Sequence, residues 1–124
     1  MRRESCIPVA KKSRIKRFGK NRYFVLLSTF PKRKDAERVA AGLIEKRLAA
    51  CCNLIPGLTS FFRWKGKKER SREFLLLIKT EGDRLEEVRN FLRTHHPYEL
   101  PELIGLPIAA GDSRFLSWIT KESH

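Results

Sequence analysis

Cysteine is scarce and badly spaced for a disulfide framework. The 124 residues hold three, Cys6, Cys51 and Cys52. The count is odd, two are adjacent, and no Cys-x-x-Cys occurs, so free thiols and a reducing, cytoplasmic compartment are expected. Long apolar runs are missing too: none approaches the ~20 residues that cross a bilayer, so no membrane partner is expected. No Gly-rich phosphate loop, Ser-His-Asp order or metallohydrolase motif stands out, which argues against an enzyme. Acids are in short supply, with 14 Asp/Glu against 27 Lys/Arg and a formal charge of +13.

The imbalance is concentrated at one end. Residues 1–22 hold nine Lys/Arg and one acid, Glu4, and so carry +8 of the +13. A basic stretch without apolar periodicity buries too little to offset the entropy of ordering, so residues 1–22 read as a disordered extension. A nucleic-acid arm and a transit-like segment compete with a merely solvated tail; the last is favoured, and any nucleic-acid contact would run through residues 1–22 alone. With 41% hydrophobic and 33% charged residues over the whole 124, the chain has the make-up of one ordinary globular domain with a tail.

The pattern of that domain, residues 23–121, is a regular alternation. "YFVLLSTF" (23–30) reads as a buried central strand stopped by Pro31. Residues 34–49 carry apolar side chains at helical spacing. "ACCNLIPGLTSFFRW" (50–64) reads as a strand bent at Pro56-Gly57, "KGKK" as a turn and "EFLLLIKT" (73–80) as the returning strand of a hairpin. Asp83 suits the N-cap of a second helix, with Glu86 completing a capping box. That helix should end near His95, since Pro97 drives His96 out of the α region. A short strand at 103–109 and a closing helix begun by Gly111-Asp112 follow. The order βαββαβ plus a short C-terminal helix predicts an α+β, ferredoxin-like antiparallel sheet with both main helices on one face. The other face and the strand edges are left to associate with further copies.

The densest chemistry is "RTHHPYELPE" (93–102). Adjacent histidines point about 100° apart on a helix, so chelation through His95 and His96 needs the break before Pro97. The alternative is structural, with His95 closing the helix C-terminus. Cys51 and Cys52 alternate on a strand and cannot both reach one ion within a subunit, so packing is their expected role, with metal binding through one of them the lesser reading. Lys32-Arg33-Lys34 at a helix start could favour an anion, although a solvated charged turn is the simpler reading.

Taken together, "EKRLAACCNLIPG", "TSFFRWKGK", "IKT", "HPYELPE" and "FLSWI" resemble, in order and spacing, the CutA family of divalent-cation tolerance proteins. The resemblance spans nearly all of residues 23–120. It implies a homotrimer in which hairpin strands of neighbouring subunits extend one another's sheets, with an architectural echo of PII-type signalling trimers. It also implies weak binding of copper or another divalent cation, none held tightly, through His95 and His96, and a role in metal tolerance. The family's third proposed ligand is a cysteine, replaced here by Ser28 in "STFP", and a neutral hydroxyl suits soft Cu(I) poorly. Trp64, Lys79, Tyr98 and Glu102 fall in the family-like motifs. They mark a subunit cleft, either as a ligand pocket or as an interface in which Lys79 pairs with Glu73 or Glu102. The rival function is a trimeric interaction or signalling scaffold, with metal incidental.

Overall fold

A computed structural model describes residues 14–124. The chain runs β1 (Tyr23–Phe30), α1 (Arg33–Glu45), β2 (Cys51–Trp64), β3 (Lys67–Glu81), α2 (Leu85–His95), β4 (Ile104–Pro107) and α3 (Ser113–Glu122). The strands form one sheet in the order β2-β3-β1-β4, every neighbouring pair antiparallel. This is the ferredoxin-like α+β arrangement that the alternation of elements predicts.

Alternation along the strands sorts their side chains onto two faces. Phe24, Leu26 and Phe30 of β1 and Leu76 and Ile78 of β3 share one core with Ala36, Val39 and Leu43 of α1 and Leu85, Val88, Phe91 and Leu92 of α2. Both long helices therefore cover the same face. The closing helix lies on the other: Thr120 meets the hydroxyl of Tyr23 at 2.7 Å, and the ring of Phe115 lies under the ammonium of Lys79. This second face stays partly bare, with Ile55, Ile104, Leu106, Phe115 and Trp118 each at least 40% exposed.

The hairpin has two local devices. Lys65 and Gly66 both take positive φ, 51° and 79°, the left-handed pair of a two-residue turn whose twist matches that of the strands. At Ile55/Leu58 the β2–β3 register slips, and Gly57 sits at φ 86°. The extra residue makes a bulge on an edge strand, where the donor that Pro56 lacks is not needed.

Two helix ends differ from expectation. Periodicity extends α1 to residue 49, yet it stops at Glu45. Arg47 turns left-handed at φ 57°, and the N–H groups of Arg47 and Leu48 return to the carbonyls of Ile44 and Leu43. This is a Schellman closure with no glycine to announce it. Asp83 does not cap α2. A 3-10 turn, Gly82–Arg84, precedes the helix, and the Asp83 carboxylate accepts from His124 instead. Asp112 does cap α3, accepting from the N–H groups of Arg114 and Phe115.

Part of the basic stretch expected to be disordered lies outside the described residues. Residues 14–22 are described, and Ile15 packs against the core, its N–H donating to Glu86 at 3.0 Å.

Candidate functional site

The histidine pair sits where α2 ends, and the two rings go different ways. His95 is the last helical residue. Its ring stacks on Phe91 with centroids 4.0 Å apart, and Nδ1 lies 2.9 Å from the Phe91 carbonyl. A carbonyl only accepts, so Nδ1 carries the proton and Nε2 the lone pair. Arg38 on α1 donates to the His95 carbonyl, satisfying one of the groups that the helix end leaves over.

His96 leaves the helix at φ −77°, ψ 139°, as a residue before proline must. Its ring is buried, stacked on Phe30 at 4.2 Å. Nδ1 accepts the N–H of Tyr98 at 3.0 Å, so the proton sits on Nε2, which donates to the Thr29 carbonyl at 2.9 Å. Both nitrogens are bonded to backbone, and a metal on His96 would have to break one of these bonds in a buried site. Among the described residues, the His95 Nε2 is the ring nitrogen of the pair left unprotonated and without a hydrogen-bond partner.

Ser28 lies on the same sheet face as Phe30, fully buried. Among the described residues its hydroxyl finds no hydrogen-bond partner.

The four other candidates do not converge within one chain. Trp64 pairs with Lys67 at the hairpin tip, whereas Lys79 lies twelve residues along β3, about 40 Å away at strand rise. The indole N–H of Trp64 is buried without a partner among the described residues. Within one chain Lys79 and Glu73 are kept apart, so the pair expected at a subunit interface would have to form between subunits. Glu73 is six residues away on the same strand, about 20 Å, and its buried carboxylate takes the Tyr98 hydroxyl at 2.6 Å. Lys79 faces Phe115 instead. Glu102 lies half-buried just before β4.

The sequence profile of the CutA1 divalent ion tolerance proteins matches residues 24–122. The chain belongs to the CutA1 family. The divalent-cation tolerance protein CutA of Thermus thermophilus is 40% identical over 99 residues, covering 80% of this chain and 96% of that one. Human protein CutA is 45% identical over 91 residues, covering 73% of this chain and 51% of its own length, so the match spans about half of that relative. Among solved CutA structures, the Thermus protein superposes with TM-score 0.79 at 40% identity over 81% of this chain and 97% of that one. One named the periplasmic divalent cation tolerance protein CutA, from Archaeoglobus fulgidus, gives TM-score 0.80 at 38% identity over 82% and 99%.

Within this CutA1-family chain the structure adds a cluster that sequence reading misses. Glu81, Asp83 and His124 bring one ligand atom each to within 4.8 Å of one another, the group of this kind found among the described residues. Glu81 and Asp83 stand two residues apart in the chain, but the arrival of His124 depends on α3 folding back across the end of β3, which no local pattern announces.

Proposed function

We propose that the protein is a non-catalytic homotrimer that binds divalent cations weakly and contributes to metal tolerance. The observation that carries the metal reading is the His95 ring, whose proton is held on Nδ1 by the Phe91 carbonyl while Nε2 keeps its lone pair. Membership of a family described as divalent ion tolerance proteins supports the same reading. Weakness follows from the same geometry. His96 has both nitrogens in backbone hydrogen bonds, and Ser28 offers a hydroxyl rather than a thiolate, so copper would find one good nitrogen where tight sites use three or four ligands.

Trimer formation is supported by the half-bare apolar sheet face and by the 14-residue strand β2 at the sheet edge, since both features need covering. Cys51 and Cys52 are free, which suits a reducing, cytoplasmic setting. Native mass spectrometry should give three chains. Titration with Cu(II) should give weak binding that His95→Ala reduces and His96→Ala leaves nearly unchanged; equal binding by wild type and His95→Ala would remove the site.

The second reading, a PII-like scaffold with a ligand or partner at the subunit clefts, is favoured by one observation. The Trp64 indole N–H is buried without an acceptor, and such a donor calls for one from a neighbouring subunit or a ligand. Trp64→Phe lowering trimer stability points to a subunit acceptor, whereas loss of small-molecule binding at unchanged stability points to the ligand.

A further inference from the structure

We propose a second divalent-metal site, independent of the histidine pair, formed by Glu81, Asp83 and His124 where α3 closes over the end of β3. The His124 Nδ1 lies 2.8 Å from the Thr120 carbonyl. As a carbonyl only accepts, Nδ1 holds a proton there, and Nε2 is the position that faces the acids. Nε2 is 2.9 Å from Asp83 Oδ2 and 3.6 Å from Glu81 Oε1. The other Glu81 oxygen, Oε2, is held by Arg22 Nε and by the Thr120 hydroxyl at 3.2 Å.

This is how protein metal ligands are commonly oriented. The imidazole is fixed through its far nitrogen by a backbone carbonyl, and one carboxylate is fixed through its far oxygen by an outer hydrogen bond. One nitrogen and two carboxylate oxygens, partly open to water, suit a borderline ion such as Zn(II) or Co(II), with water completing the coordination. Two carboxylates and a neutral imidazole carry two negative charges, which Arg22 offsets in part. Arg17 also lines the adjoining hollow, so the local field tempers the affinity. In the metal-free chain a proton on Nε2 takes the ion's place and pairs His124 with Asp83. A bound ion would tie the last turn of the chain to the end of a central strand.

The test is calorimetric titration of the full chain with Zn(II) at pH 7.5 after chelator treatment. The expected result is binding of Zn(II) that weakens at least about tenfold in both His124→Ala and Asp83→Asn and persists in the His95→Ala/His96→Ala double variant. Asp83→Asn preserves shape, which guards against a mere folding defect, and the 15N shift of the His124 Nε2 should report loss of its proton on Zn(II) addition. Unchanged affinity in both His124→Ala and Asp83→Asn, or no Zn(II) binding by the wild type, overturns the site. Loss of binding in the histidine-pair variant alone overturns it too, while supporting the first metal reading.

Discussion

Replacing Ser28 by alanine should make the protein more stable, although it removes a polar atom. The Ser28 side chain is fully buried, on the sheet face where Leu26, Phe30 and Leu76 build the core, and its hydroxyl has no partner among the described residues. A buried hydroxyl without a hydrogen bond carries a desolvation cost of about 1–3 kcal/mol. Alanine removes that cost and leaves a gap smaller than a methyl group, a penalty below about 1 kcal/mol. The net expectation is a gain of about 1 kcal/mol per chain. Ser28→Cys should gain as much or more, since a buried thiol packs as a small apolar group and fills the space. Guanidinium unfolding at one fixed protein concentration is the assay, because the proposed trimer would make stability depend on concentration. The midpoint should rise with the slope unchanged, and melting should shift upward by roughly 3–6 °C. A loss of 1 kcal/mol or more in Ser28→Ala would refute the reasoning, because it would mean that the hydroxyl makes a real bond in solution.

Three further outcomes follow from the same geometry. Gly42→Ala places a Cβ 2.4 Å from the tip of the Phe91 ring, which is itself stacked on His95; overpacking should cost about 1–3 kcal/mol and shift the His95 imidazole resonances, and added Phe91→Leu should recover part of the loss. Tyr98→Phe removes the donor 2.6 Å from the buried Glu73 carboxylate and should destabilise by about 1–3 kcal/mol in chemical unfolding. The Cys52 thiol is pushed up to about 12, mainly by burial and then by neighbouring Cys51; in a Cys6→Ser/Cys51→Ser background its alkylation at pH 8.5 should run at least about a hundredfold slower than that of an ordinary thiol, which is about half ionised there, and should rise tenfold per pH unit.

The frame of the protein was legible because its signals are local. The continuous apolar run of β1, the helical spacing in α1 and α2, a glycine turn within residues 65–68 and the bend at Pro56-Gly57 each depend on a few neighbouring residues and together point to this topology. The end of α2 was legible for the same reason, since Pro97 constrains His96 directly. The end of α1 was not, because an arginine took the left-handed position that glycine usually fills. The start of β3 at Lys67 rather than Glu73 was missed because residues 67–72 are all polar.

The chemistry of the candidate sites was decided in three dimensions. The sequence put His95 and His96 side by side, and their equivalence as ligands ended only when Thr29 and Tyr98 occupied both nitrogens of one ring. It named Ser28 as a missing thiol, but the burial and isolation of its hydroxyl came from helices packed over β1. It offered Asp83 as a helix cap, a role set by immediate neighbours, and the fold gave that carboxylate to a histidine 41 residues away. Backbone preferences are fixed by adjacent residues and can be read along the chain. A ligand set is fixed by which side chains are brought together and by which of their atoms remain unbonded, and both depend on the packed fold.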